Sequence, residues 1–207
     1  MEQAAIQIAL DEIVTEADAT VKSFQLASLC SAVFRAEAVS VVVVGGSAIE
    51  FYTEGAYTSG DLDLCLVSPG LLPLRRRQTI MGKLQAEGGP RSWQVAGMFV
   101  DLLGQVEGLA KTSRRIIEGP YGPVEMFQAE DLLVERVLVA NYPSKNAEAK
   151  ECAKKLLAVA VQGQLEMDWS EVKRLAELPE YDNWADCQRI TQAVSYTHLT
   201  LPTIYSV

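Results

Sequence analysis

The stretch VVVVGGSAIEFYTEGAYTSGDLDLCL, residues 41–66, is the part of the chain from which the rest is read. Ser40–Val44 is a β-branched run with no polar interruption after its first residue, the pattern of a buried central strand. Gly45-Gly46 breaks that run, and Ser47 stands where it can cap a helix reaching about Glu54. Asp61–Val67 alternates acidic and apolar residues at its start, which predicts a half-buried strand that Ser68-Pro69-Gly70 brings to an end.

A strand, a glycine pair opening a helix, and a second strand carrying Asp-x-Asp make a physically sensible site for phosphate and metal. Two glycines let backbone approach phosphate oxygens without a Cβ in the way. The free N–H groups at the helix start, together with the helix dipole, favour an anion. Side chains at i and i+2 of a strand share a face, so Asp61 and Asp63 project together while Leu62, Leu64 and Leu66 turn to the core. Two adjacent carboxylates repel unless a cation lies between them, and Mg²⁺ bound to both and to a triphosphate relieves the repulsion. Each motif alone has a plain reading, as a bare turn and as a surface strand with two acids. Their order, with fourteen residues from Ser47 to Asp61 and a helix between, favours the joint one.

On these residues the sequence resembles the DNA polymerase β-like nucleotidyltransferase superfamily, most of all its small prokaryotic branch that includes abortive-infection toxins. Gly45-Gly46-Ser47-Ala48, Tyr52, Tyr57, Ser59 and Asp61-Leu62-Asp63-Leu64 fall where that branch has counterparts, Ser59 standing where Thr is usual. The resemblance implies an α/β (α+β) nucleotidyltransferase fold: a small mixed sheet with flanking helices, then a helical annex. It implies transfer of a nucleoside monophosphate from an NTP to a hydroxyl acceptor. Asp61 and Asp63 would hold Mg²⁺, and Asp101 would supply a third carboxylate that binds one metal and helps deprotonate the acceptor. Gly45, Gly46 and Ser47 would cradle the triphosphate, with Ser59 and Arg136 as further nucleotide contacts. The plain reading of Asp101 is a solvated strand end, and of Arg136 a solvated helix charge.

After Arg136 the chain departs from the toxin pattern, since the next helix offers Lys145, Glu148, Lys150 and Glu151 where an Asp-bearing motif is expected. The partners suggested are an NTP, an RNA or tRNA or small-molecule acceptor, and an antitoxin protein. The rival from another class is a nucleotidyltransferase-like binding or regulatory module without turnover. Whether Asp61, Asp63 and Asp101 converge discriminates the two.

Outside this stretch, residues 2–36 read as helix broken near Asp18, and Leu74–Glu87 as a helix closed by Gly88-Gly89-Pro90. Trp93–Val95 and Met98–Leu103 read as strands, and Arg114–Glu118 with Val124–Phe127 as a hairpin-like pair. Helices are expected over 129–141, 146–162, 169–177 and 182–193, with Asp168-Trp169-Ser170-Glu171 resembling a capping box. This divides the chain into a nucleotidyltransferase core at 1–128 and an annex at 129–193. Arg75-Arg76-Arg77 reads as a solvated helix start, its sharper reading being a steering patch for nucleotide or RNA. The three tryptophans read as packing residues.

Residues 194–207, VSYTHLTLPTIYSV, carry no charge and no amphipathic period. Their first ten residues back-translate to GTC TCT TAT ACA CAT CTG ACG CTG CCG ACG, which resembles a transposon-end adapter used in sequencing libraries. A non-native tail is therefore expected there, and with it a different natural C-terminus. The single histidine, His198, lies in that segment. Without it the chain has no Ser-His-Asp or Cys-His catalysis and no histidine-bound zinc, so proton transfer and metal binding fall to carboxylates. Net charge is −9, which opposes nonspecific coating of nucleic acid. Four well-separated cysteines without a C-x-x-C pair fit reduced thiols in a cytoplasmic setting. No apolar run approaches the roughly 20 residues of a membrane span.

Overall fold

The structure, a computed structural model, describes residues 1–67, 72–105 and 114–200, with side chains as far as Tyr196. The chain divides into two compact units after Gln128.

The first unit is built on a seven-stranded mixed sheet of order β3-β4-β5-β2-β1-β7-β6. Its central strands are β1 (Val41–Val43), β2 (Asp61–Leu66), β5 (Met98–Gln105) and β7 (Gly122–Phe127). β1 runs antiparallel to β2 and parallel to β7, and β2 runs parallel to β5. Two antiparallel extensions finish the edges, β3 (Glu87–Gly88) with β4 (Ser92–Val95) on one side and β6 (Arg114–Gly119) on the other. Glu87 and Gly88 belong to this edge and not to the helix expected over 74–87. That helix, α4 (Leu74–Lys83), stops where Gln85 takes a left-handed φ of 54°.

The break expected near Asp18 separates α1 (Gln3–Thr15) from α2 (Ala19–Ala36), and its cause is a cap. The Asp18 carboxylate accepts from the N–H groups of Thr20 and Val21, two of the donors a helix start leaves unpaired. α2 packs on β1 and β7. Ile6, Leu10, Ile13, Leu26, Leu29, Val33 and Phe34 are buried together with Leu62, Leu64 and Leu66. α3 (Gly45–Tyr52) follows β1 directly, with Val44 and not Ser47 at the cap position.

Two of the three arginines at the start of α4 are engaged locally. Arg76 donates to the carbonyl of Glu37 at 2.6 Å and Arg77 to that of Leu72 at 3.0 Å, which ties the helix down. Trp93 is buried, whereas Trp169 is 40% exposed, so packing accounts for the first and not the second.

The second unit holds α5 (Ala129–Asn141), α6 (Ala147–Val161), α7 (Trp169–Ala176) and α8 (Trp184–Thr200). Asp168 caps α7 through the N–H groups of Ser170 and Glu171. Glu171 does not return the favour: its carboxylate takes Arg174, and the Asp168 N–H goes instead to Glu130 Oε1 at 2.7 Å. Glu130 and its neighbour Asp131 are both buried. Burial pushes the Asp131 carboxyl up to about 6, with Glu171, Glu130 and Glu135 adding to the rise and Arg174 opposing it. α8 does not stop at Ala193; it continues to Thr200, and Val194 is 6% exposed. The non-native tail expected from 194 onward is thus helical in its first part, and residues 201–207 lie outside the described residues. Among the described residues no helix is long and apolar enough to cross a membrane.

Candidate functional site

The site sits where β1, β2 and β5 lie side by side. Gly45 takes a φ of 62°, a left-handed conformation open to glycine, and so lets the buried strand β1 turn at once into α3. Along β2 the alternation is complete, with Asp61, Asp63 and Cys65 half-buried on one face and Leu62, Leu64 and Leu66 buried on the other. β5 lies parallel to β2 with Asp101 directly beside Asp63. Partners in register point to the same side of a sheet, so the third carboxylate joins the first two. One oxygen from each of Asp61, Asp63 and Asp101 falls within 4.8 Å of the others, all three residues half-buried. The structure therefore brings these three together.

The donor set suits a hard cation. It is all oxygen and partly open to water, as Mg²⁺ requires when it keeps several waters and takes its remaining ligands from carboxylates and phosphates. The oxygens lie within 4.8 Å of one another, close to the about 4.2 Å that separates opposite ligands of one Mg²⁺ when each bond is about 2.1 Å. Among the described residues no ion pair involves Asp61 or Asp101.

Beneath the carboxylates lies a hydrogen-bonded support. Ser47 is fully buried, and its Oγ donates to the carbonyl of Asp61 and accepts from the N–H of Asp63, both at 2.9 Å. A serine has one hydroxyl proton, and here β2 takes it. Ser47 therefore corrects one expectation, since it does not cap α3, and its hydroxyl proton is spent on β2. It clamps the backbone on either side of Leu62. At Gly46 the close neighbours are Ser59 and Tyr57. A Cβ there would stand 2.9 Å from Ser59 Oγ and 3.2 Å from Tyr57 Oη, so the space saved by this glycine is filled by the chain itself.

Ser59 comes next in the support. Its Oγ donates to Asp61 Oδ1 at 3.1 Å, and its N–H donates to Glu50 Oε2 at 2.8 Å. Glu50 is 2% exposed on α3. Its carbonyl also accepts from Gly55 N and from Thr53 Oγ1, so backbone and side chain both anchor the connection to β2. Sequence reasoning passed over Glu50, although it is the only charged residue between Val41 and Thr53. Tyr52 secures the far end of α3, where its hydroxyl donates to the carbonyl of Phe127 at 2.9 Å.

Arg136 lies on α5, in the second unit. Its Nη2 is 3.7 Å from Glu135, and its buried Nε has no hydrogen-bond partner among the described residues. Burial pushes the thiols of Cys30 and Cys187 up to about 12, away from the reactive thiolate form.

No family model matches the chain, and no curated protein matches it. Among solved structures it is similar to an antigenic nucleotidyltransferase-like protein from Paracoccidioides brasiliensis, at 14% identity over 80% of this chain and 92% of that one, with a TM-score of 0.51. It is also similar to the antibiotic-resistance factor ANT(2'')-Ia in a solution structure, at 13% identity over 97% of this chain and all of that one, TM-score 0.44. A crystal structure of ANT(2'')-Ia with adenylyl-2''-tobramycin matches at 13% identity over 82% and 94% of the two chains, TM-score 0.39. At these identities the likeness is one of fold, and the first match carries it: the chain has the mixed α/β nucleotidyltransferase fold.

Proposed function

We propose that this chain is a metal-dependent nucleotidyltransferase, moving a nucleoside monophosphate from an NTP to a hydroxyl acceptor with release of pyrophosphate. The observation that supports it most is the convergence of Asp61, Asp63 and Asp101 within 4.8 Å on one sheet face. Three carboxylates held this close repel one another, and a divalent cation between them relieves the repulsion. In the proposal Asp61 and Asp63 hold Mg²⁺, and Asp101 shares it. When bound, Mg²⁺ neutralises the triphosphate and the charge that builds up as the phosphoryl bond changes hands.

The chain's own contribution is positioning. Ser47 fixes the β2 backbone, Ser59 orients Asp61, and the register of β5 on β2 sets Asp101 beside Asp63. Asp101 accepts the proton of the acceptor hydroxyl. Gly45 and Gly46 supply the start of α3, whose dipole favours the anionic triphosphate from a buried position. Ser47 acts through the strand and not by touching phosphate.

The acceptor proposed first is RNA, tRNA included, in a toxin-antitoxin or phage-defence setting, as residues 41–66 resemble that branch. A small-molecule hydroxyl is the second. Purified protein incubated with each α-labelled NTP, Mg²⁺, total RNA and a panel of small polyols and aminoglycosides tests both. Label in RNA supports the first, and label in a small molecule supports the second. NTP binding with no label transferred to any acceptor would leave a non-catalytic binding module and overturn the proposal.

A further inference from the structure

We infer that Glu50 is a positioning residue for the metal site, acting through Ser59 on Asp61. The inference rests on the function proposed above, and three independent features of the structure support it. First, the chain of contacts is continuous. Glu50 Oε2 accepts the Ser59 N–H at 2.8 Å, and Ser59 Oγ donates to Asp61 Oδ1 at 3.1 Å. Second, Glu50 is 2% exposed. A carboxylate is expensive to bury, and this one is spent on the Ser59 N–H. Third, the Ser59 hydroxyl is confined from behind, since a Cβ on Gly46 would come within 2.9 Å of it. The hydroxyl thus lies between Gly46 and Asp61.

The physical consequence follows from what each group can do. Ser59 precedes β2 by two residues, in the connection that leads from α3 into the strand. Glu50 anchors it from the rigid helix α3, so the Ser59 hydroxyl arrives at Asp61 in a set orientation. That hydrogen bond occupies one lone pair of Oδ1 and fixes the carboxylate plane. The remaining lone pairs of Asp61 then face the space shared with Asp63 and Asp101. Groups that orient a metal ligand in this way typically influence metal affinity by about 10-fold to 100-fold.

Titration with Mn²⁺, read by the electron paramagnetic resonance of the free ion, tests this together with metal-free thermal unfolding. Glu50→Met keeps the side-chain length and removes the acceptor. It is expected to weaken Mn²⁺ binding by about 10-fold or more. Glu50→Gln keeps an acceptor oxygen and is expected to restore most of the affinity. Ser59→Ala deletes only the second contact and leaves the buried position untouched, so it tests the same path even if Glu50→Met folds poorly. Because both residues act along one path, the double variant Glu50→Met/Ser59→Ala should be no weaker than the worse single variant by more than about twofold. Unchanged Mn²⁺ affinity in Glu50→Met or in Ser59→Ala, or additive losses in the double variant, overturns the inference. Absence of Mn²⁺ binding in the wild-type protein overturns the proposed function instead.

Discussion

Replacing Asp101 by Asn separates the two roles its carboxylate has in this account. Without metal, Asp101 is one of three half-buried carboxylates with oxygens within 4.8 Å of one another, so it takes part in two repulsive pairs. At that distance Coulomb's law gives about 0.9 kcal/mol per pair in bulk water, rising toward about 3.5 kcal/mol at the effective dielectric of a protein surface. The residues are half-exposed, so the lower end applies, and removing both pairs is worth about 1–2 kcal/mol. Asn has nearly the same volume, so little packing is lost. In a chain of this size each kcal/mol corresponds to roughly 2–4 °C in Tm. The metal-free variant should therefore unfold about 2–8 °C above wild type. In Mg²⁺ at ten times its Kd, wild type gains about 1.4 kcal/mol from ligation, and the variant, short of one charged ligand, gains much less. The gap between the two proteins should close or reverse. Differential scanning fluorimetry in EDTA and in a Mg²⁺ series reads both conditions. A metal-free Asp101→Asn that melts below wild type, or a wild-type Tm indifferent to Mg²⁺, would refute the reasoning.

Three further outcomes are expected. Ser47→Ala strands the Asp63 N–H and the Asp61 carbonyl in a buried place, and each such group costs about 1–3 kcal/mol. A fall in Tm of at least about 4 °C is expected without any nucleotide present; a variant of full stability that only loses NTP affinity would return Ser47 to a direct phosphate role. Asp131 has a folded-state pKa of about 6, above the roughly 3.9 of an unfolded Asp, so its ionisation destabilises the fold as pH rises from about 4 through 6. Asp131→Asn should be more stable than wild type at pH 7.5 by up to about 3 kcal/mol in urea unfolding and should converge with it near pH 4; an equal gap at both pH values would contradict this. Truncation after Ala193 removes the buried Val194 and is expected to cost about 1.5–3 kcal/mol, whereas a Tm unchanged within about one degree would mean that the last turns of α8 add nothing.

The parts of this architecture that were legible in the sequence are those set by local periodicity. Alternation placed Asp61 and Asp63 on one face of β2, and the uninterrupted valines marked β1 as central. Asp101 was reached through the family resemblance, because its position beside Asp63 depends on a strand register that no local pattern encodes. The misreadings share that cause. Ser47 looks like a cap from its neighbours alone, but its partners are the backbone of a strand fourteen residues on. Glu50 was passed over, and the signal that could have exposed it is its isolation in an otherwise uncharged stretch. Glu87 was assigned to a helix, and Gly88 to the turn closing it, because a two-residue edge strand is too short to show a period. At the other end, α8 runs past Ala193 because a helix already packed at Cys187 and Ile190 can carry uncharged residues further than their own pattern suggests.

Transfer of label from an α-labelled NTP, measured for wild type and Asp63→Asn with Mg²⁺ and with EDTA, tests the central claim most directly. Asp63 lies between Asp61 on its own strand and Asp101 across the register, so its charge belongs to whatever cation the site holds. The account predicts Mg²⁺-dependent transfer by wild type, abolished by EDTA and reduced about 100-fold or more in Asp63→Asn, with the variant still folded. Transfer that survives EDTA, or that Asp63→Asn leaves intact, would contradict it.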